Sequence, residues 1–400
     1  MEALINTQNN TILFHQLVSP IDQLIEDKKT DIESDTAKKL DFKAFLALLL
    51  YFYLQGIDSL RSLITALRTN PEISQAGLFP VGLSTIHDAF YRYPLKLFQN
   101  IYVRLLKSLP VYEIEEFKQL GRLMLTDGSL FRMAINDFWA EFTNNAKALK
   151  VHLHFELNHM LTTCFWVTHA NHDERKQLAN HLEKAVTYIA DRGYLCFKFF
   201  YQIIRKEAFF IIRSRKNLTY QVTKPLNVRL MDSVKHLFFQ VTDELAVFDA
   251  DEKHQIYRRI SFRTHQTLFI LITNRLDLTT YQIIRLYAFR WQIELFFRFF
   301  KRTLNGIHLI NHGQNGVTIQ FYLILIVNLL LMRFKRQQMQ PCLFKQKDEE
   351  NSQILKIDSI DRFLKSLGKQ IPNHLKIKKQ ELNAIRNNLL KSLQLAFEFH

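Results

Sequence analysis

The sequence predicts an α/β chain of the α+β kind. A helical N-terminal domain comes first, then a mixed-sheet core interrupted by a β-strand insertion, then a helical C-terminal tail. Three observations predict it. Only 10 Gly and 8 Pro occur in 400 residues, so helices and long strands should outweigh turn-rich β structure. The punctuation changes near Pro110 from helix caps and breakers to strand-like alternation. Beyond that point three strands are followed by helix, strand, helix and strand.

Composition narrows the function. An apolar content of 48% excludes global disorder, and the length allows two or three domains. Fifty-three Lys and Arg against 38 Asp and Glu leave a net charge of +15 and a pI near 9.6. That balance favours a polyanionic partner, nucleic acid or an acidic membrane surface; a merely basic soluble protein is the plainer alternative. Cys164, Cys196 and Cys342 form no CxxC pair, which fits a reducing compartment and gives no disulfide framework. No basic-then-apolar leader opens the chain. Phe45 to Leu54 is too short to span a membrane, and Val317 to Met332 falls below the ~20 residues a spanning helix needs, so both are expected as core helices.

The elements follow in order. Residues 1–40 read as an arm with one helix around Phe14 to Asp27. Residues 41–110 read as a helical domain. Asp41 caps a helix that Gly56 stops, Asp58 or Ser59 opens a second that Asn70-Pro71 breaks, Ser84 caps a third and Pro94 starts a fourth. Short helices on tight turns suit a helix-turn-helix-like DNA reader, and equally a plain bundle. Residues 111–335 read as the core. Arg122 to Phe131 is a buried strand ending at Asp127-Gly128-Ser129. Lys150 to Leu157 alternates apolar residues with His152, His154 and Glu156, a half-buried strand, and Leu161 to His169 completes a meander. Asp173 opens a helix carrying Leu178, Leu182 and Ala185. Val186 to Ala190 is a short strand with Asp191-Arg192-Gly193-Tyr194 at its exit; Leu195 to Glu207 is helical and Ala208 to Arg213 extended. This order resembles the ribonuclease-H-like layered fold. An insertion at about 216–272 is strand-like. Residues 336–400 form a basic tail: from Arg333 onward stand 14 Lys and Arg against 7 Asp and Glu, with helices expected near Ile357 to Leu367 and Lys376 to Leu395. Four histidines, His152, His154, His169 and His172, raise the thought of zinc, but no ligand spacing is tight and a polar sheet face is the simpler reading.

The chemistry gathers on the stretch Tyr287 to Lys301, YAFRWQIELFFRFFK. As one helix at about 100° per residue it would set Tyr287, Arg290, Glu294 and Lys301 within an arc of roughly 60°, with Arg298 on its border and a broad aromatic face opposite. The bland alternative is a solvated face with one ion pair, Arg290 to Glu294. Asp127 and Asp191 stand at strand ends beside glycines, where Asp is often only a turn former. Taken together, Asp127, Asp191 and Glu294 offer three hard oxygen ligands from three elements. Such a set suits Mg²⁺, and two ions would serve phosphodiester chemistry. Arg290, Lys301 and Arg298 would then hold backbone phosphates, with Tyr287 donating a hydrogen bond.

At these residues the chain resembles the DDE transposases of insertion sequence family four. Tyr287-x2-Arg290-x3-Glu294-x6-Lys301 is similar to that family's YREK signature; LTDGS around Asp127 and IADRGY around Asp191 resemble its two aspartate blocks, and Thr273-Asn274-Arg275 fits as well. The resemblance covers about residues 40 to 335. It implies a ribonuclease-H-like catalytic core with a β-strand insertion, and Asp127, Asp191 and Glu294 as ligands of two Mg²⁺ or Mn²⁺. It implies nicking at terminal inverted repeats, a freed 3′-OH and strand transfer into target DNA, a cut-and-paste transposition. It further implies a homodimer in the synaptic complex, double-stranded DNA as partner, no membrane, and a bacterial, cytoplasmic, nucleoid-associated setting. Relatives stack a flipped base on an aromatic residue of the insertion, often Trp. Here Trp139, Trp166 and Trp291 all lie outside it, which leaves Phe248 or Tyr257 as substitutes. A non-catalytic DNA-binding remnant and a membrane-surface protein are the competing classes.

Overall fold

The computed structural model describes residues 14–25, 40–55, 57–69, 73–74, 77–109, 115–133, 141–143, 146–230, 238–264, 267–302 and 309–344. The helices expected in the C-terminal tail lie outside these. The described residues divide into two compact units, with boundaries after Pro110 and after Phe297. The segment between the boundaries makes a sheet unit, and the flanking segments make a helical unit.

In the helical unit, α1 (14–25) buries Phe14, Leu17, Val18 and Ile21, one face at i, i+3, i+4 and i+7. Helix α2 (Phe42–Leu54) is capped as expected: Asp41 accepts the Ala44 N–H at 2.7 Å. Ser59 opens α3 (Leu60–Thr69) by accepting from the Ser62 N–H at 3.1 Å. Helix α4 (Leu83–Arg92) starts one residue before the expected Ser84 cap, with Gly82 at the N-cap and no side-chain cap bond. Pro94 leads into α5 (Leu95–Ser108). The core is aromatic: Phe45 meets Phe90 at 5.1 Å and Phe42 meets Phe98 at 5.4 Å, both edge to face.

The sheet unit is one twisted run of paired strands: β1 (Arg122–Met133), β2 (Glu141–Thr143), β3 (Ala146–Glu156), β4 (Leu161–His169), β5 (Val186–Ala190), β6 (Phe209–Arg213), β7 (Tyr220–Pro225), β8 (Phe239–Phe248), β9 (Tyr257–Arg263) and β10 (Leu268–Thr273). From one edge the order is β3-β1-β5-β6-β10-β9-β8-β7, with β2 and β4 both paired to β3. Strands β1, β5 and β6 run parallel, and every other pair is antiparallel. The insertion therefore extends the core sheet through β10 instead of forming a separate body. Strand β5 is buried along its whole length, as a central parallel strand should be.

Helix α6 (Glu174–Ala179) is shorter than the sequence suggests. It stops at Asn180, and Ala185 sits at φ +61, so Leu182 and Ala185 lie beyond it. Helix α7 (Phe197–Arg205) packs Phe199, Phe200 and Ile203 on Tyr188, Phe210, Phe248 and Tyr257. Phe248 and Tyr257 are each 1% exposed in this core, so neither is available to stack on an extruded base. His152 and His154 are also buried, against the expectation of a polar sheet face: His154 packs on Trp166 at 4.6 Å and on Tyr188 at 6.1 Å, and Trp166 meets His181 at 3.9 Å.

Two braces join the insertion half to the rest. In Thr273-Asn274-Arg275, Thr273 donates to the Phe210 carbonyl, and Asn274 accepts the Phe210 N–H while donating to the Ala208 carbonyl. Arg275 reaches the Leu120 carbonyl and Thr187 Oγ1. Arg258 pairs with Asp243 through two hydrogen bonds, at 2.8 and 2.6 Å, and also donates to the Arg275 and Leu278 carbonyls. Thr280 donates to the same Asp243, which ties β8 and β9 to the start of α8 (Thr280–Ala288). Helix α8 begins in a capping box between Thr279 and Gln282, and α9 (Trp291–Arg302) follows two residues after its end.

The long helix α10 (Gln314–Phe344) belongs to the helical unit, packed on α2, α4 and α5. The sequence boundary at 335 assigned its first two-thirds to the sheet core; local patterning shows that a helix is apolar, not which partner covers it. Gln314–Phe334 is 21 residues at a mean hydropathy of 1.9, long and apolar enough by length and composition to cross a membrane. It serves here as a core helix. Gln320, fully buried at its centre, accepts the Ile310 N–H and donates to the Asn311 and Gly316 carbonyls.

Candidate functional site

Asp127 does not end a strand as the sequence suggests: β1 runs on to Met133, paired with β3 throughout, and what stops before Asp127 is the parallel pairing with β5. In the parallel pair β1–β5, Leu125 stands opposite Ile189, so Asp127 and Asp191 each lie two positions further on. Asp127 accepts the N–H of Gly128 at 2.8 Å. Asp191 caps a single 3₁₀ turn, Arg192–Tyr194, by accepting the Gly193 N–H at 2.8 Å. Tyr194, 1% exposed, lies with its hydroxyl 3.4 Å from Thr126 Oγ1, which pins the Asp191 turn beside the strand that carries Asp127. At both glycines a side chain would crowd a carboxylate. A Cβ on Gly128 would fall 2.7 Å from Glu174 Oε1, and one on Gly193 would fall 3.0 Å from Asp191 Oδ1.

The segment from Tyr287 to Lys301 is not one helix. Tyr287 lies in the last turn of α8, residues 289 and 290 form a turn, and Glu294 lies in the first turn of α9. Through the junction the backbone tightens to i→i−3 bonds: Arg290 N–H to Tyr287, Gln292 to Phe289 and Ile293 to Arg290. Phe289 there packs edge-on against Phe117 at 5.1 Å, a tertiary contact that uniform helix geometry ignores. The arc at 100° per residue therefore does not describe these side chains.

Arg290 is the hub. Its guanidinium pairs with Glu294 at 2.6 Å, lies 5.9 Å from the centre of the Tyr287 ring, and is near enough to Asp127 for each charge to act on the other. The Asp127 carboxyl is pushed up to about 7. Burial is the main cause; the charges of Asp191 and Glu174 add to it, and the Gly128 N–H and Arg290 oppose it. Burial likewise raises the Tyr287 hydroxyl, against the pull of Arg290 and Arg213. Among the described residues, the buried Tyr287 hydroxyl and the Trp291 Nε1–H make no hydrogen bond of ordinary geometry.

Asp127, Asp191, Tyr287 and Arg290 thus share one electrostatic neighbourhood, and Glu294 joins it through Arg290. Arg298 and Lys301 lie one and two turns beyond Glu294 on α9, past the boundary and in the helical unit. Both are partly buried, and burial lowers the Lys301 amine. Two residues escaped the sequence reading. Glu174 packs on Gly128 and pairs with Lys150 at 3.2 Å. Arg213 follows Ile212, the partner of Ala190, so the register sets it beside Asp191; its guanidinium stacks 4.3 Å from the Phe269 ring centre. The only local signal for Arg213 is a cation closing the apolar strand FFIIR.

Asp127 and Asp191 are hard oxygen donors whose mutual repulsion a divalent cation would relieve, and they fit one. Glu294 is engaged by Arg290, and among the described residues no three acidic, histidine or cysteine side chains converge on one point. To serve as third ligand, Glu294 must leave Arg290.

A carboxylate pair on adjacent parallel strands, with an acid-bearing helix beside it, is the setting in which the comparison with known proteins falls. Residues 118–330 match the family described as Transposase DDE domain, and the chain belongs to that family. A relative in Sinorhizobium fredii (strain NBRC 101917 / NGR234), named "Putative transposase y4zB", is 26% identical over 256 residues, covering 62% of this chain and 70% of that protein.

Proposed function

We propose that this transposase cleaves the phosphodiester backbone at the terminal inverted repeats of its element and joins the freed 3′-OH to target DNA, by the cut-and-paste route. The observation that carries the reading is the placement of Asp127 and Asp191 just past the parallel pairing of β1 with β5, with Arg290 between them and Glu294. The core strand order, with β3-β1-β5-β6 central and β4 outermost, supports the ribonuclease-H-like assignment, and the motif spacing supports the YREK branch of insertion sequence family four.

Asp127, Asp191 and Glu294 would hold two Mg²⁺ or Mn²⁺. Bound there, the ions would activate the attacking oxygen and stabilise the leaving one. The chain's own residues do the rest. Asp127, its pKa raised by burial, would have to be deprotonated to hold an ion. Arg290 transfers its hydrogen bonds from Glu294 to a phosphate oxygen, and Tyr287, buried with its hydroxyl unsatisfied, donates to the same group. The Thr126–Tyr194 contact keeps the two aspartates in register. Arg298 and Lys301 grip phosphates further along the strand, and residues 41–110 contribute DNA binding. A homodimer pairs the two ends, in the cytoplasm of a bacterium on nucleoid DNA.

The Glu294–Arg290 pair favours one alternative, a remnant that binds ends without cutting them. An end-labelled inverted-repeat duplex incubated with the protein and Mg²⁺ separates the two. The transposase yields a nick with a 3′-OH and a strand-transfer product; the remnant yields a shifted, uncut duplex.

A further inference from the structure

Helix α5 carries a surface that the acid site does not use. Its inner face, Phe98, Ile101, Tyr102 and Leu105, is buried in the helical unit. Its outer face holds Lys96, Asn100, Arg104 and Lys107 at i, i+4, i+8 and i+11, which line one shallow groove with Tyr322 of α10. The helix has no acidic residue in 14 positions. Arg333 of α10 joins the cluster at the helix end, donating to Ser108 Oγ at 3.2 Å. Lys96 and Lys107 are exposed, Arg104 is half-buried and donates to the Leu24 carbonyl at 3.1 Å, and none of the four cations has an acidic partner among the described residues. The same unit does neutralise a lysine elsewhere: Lys43 pairs with Asp22 at 3.0 Å. A solvated helix face ordinarily mixes the two signs of charge. This one holds cations, an amide and a tyrosine, which together make a set of donors for phosphate oxygens.

We infer that the outer face of α5 tracks the sugar-phosphate backbone of duplex DNA, through Lys96, Arg104, Lys107 and Arg333. Lys96 and Lys107 stand eleven residues apart, roughly 16 Å along the helix, the axial rise of about five base pairs. The contact reads charge and not bases, so it strengthens binding on any sequence. It rests on the transposase reading but concerns a face separate from Asp127, Asp191 and Glu294.

The test is fluorescence anisotropy of the full chain on labelled duplexes, one ending in the inverted repeat and one of random sequence, with chelator present and across a salt series. Each phosphate contact contributes about −0.9 to the slope of log K against log salt. Lys96→Ala/Lys107→Ala should make that slope shallower by about two and weaken both duplexes alike, while Lys43→Ala leaves the slope unchanged. The two lysines are exposed, so an unaltered melting temperature is expected; if the double variant unfolds, Lys96→Gln/Lys107→Gln takes its place. A slope equal to wild type would overturn the inference while leaving the transposase reading intact. Loss of binding to anionic phosphatidylglycerol vesicles with the DNA slope unchanged would also overturn it, in favour of a lipid surface. Absence of any duplex binding by the wild-type chain would remove the transposase reading as well.

Discussion

Two arginine–carboxylate pairs in the sheet unit make opposite use of the same chemistry. Arg258 and Asp243 are almost wholly buried, with 5% and 0% of their side chains exposed, and five hydrogen bonds hold them: two between them, two from the guanidinium to carbonyls, and one from Thr280 to the carboxylate. Arg290 and Glu294 share one contact, at 14% and 32% exposure, with the Tyr287 hydroxyl and Trp291 indole unsatisfied nearby. A saturated buried pair fixes a fold, because breaking it strands a charge. A half-buried pair with a single contact and unsatisfied donors beside it can exchange its partner for a ligand at less cost. The difference separates scaffold from site more sharply than the identity of the residues does.

The comparison can be broken most severely by truncating each arginine. Arg258→Ala should cost about 3–5 kcal/mol in a denaturant titration, since Asp243 is left buried alone. Arg290→Ala should cost about 1 kcal/mol or less, yet lower cleavage about a hundredfold. Equal stability losses would erase the distinction. A smaller effect should come from ion binding. Mn²⁺ at about a hundred times its Kd adds roughly 2.7 kcal/mol to the folded state, so the melting temperature should rise by about 5 °C in the wild type and not in Asp127→Asn. An equal rise in both would place the ion elsewhere.

The smallest effect sharpens the contrast from a third place. Burial holds His154 down to about 3, with the charges of His181, Arg122 and His152 adding to it. Unfolded, it takes a proton near 6.5. Its contribution to stability is therefore present above 6.5 and lost as pH falls toward 3. His154→Phe should flatten the fall in stability across that window, a slope of at most about 1.4 kcal/mol per pH unit. A profile unchanged by the substitution would remove His154 from the account.

Much of this was legible in the sequence because it is local. Strands Leu161 to His169 and Val186 to Ala190 were read to the residue from alternation and flanking turns, and Asp41 and Pro94 acted as the expected helix starts. The order of elements along the core, strands followed by helix, strand, helix and strand, was legible as well. What stayed hidden depends on partners far away in the chain. Arg258 and Asp243 are fifteen residues apart on neighbouring strands, and Arg275 reaches back to Leu120. The break at residues 289 and 290 reflects Phe289 packing on Phe117, and the destination of α10 reflects the helices that cover it. At the site, spacing singles out Asp127, Asp191 and Glu294 as the proposed acids. It did not find that Glu174 occupies the space above Gly128, because only pairing geometry brings β1 and α6 together.

The most direct measurement of the central claim is single-turnover cleavage of a labelled inverted-repeat duplex in Mg²⁺ by the wild type and by Glu294→Gln. Glutamine keeps the shape of the side chain and a carbonyl for Arg290, and removes the charge a cation needs. The account predicts that Glu294→Gln binds the duplex as the wild type does and cleaves it about a thousandfold more slowly or not at all. Cleavage by Glu294→Gln at a rate near that of the wild type would contradict it: Glu294 would then be the ion-pair partner of Arg290 and nothing more.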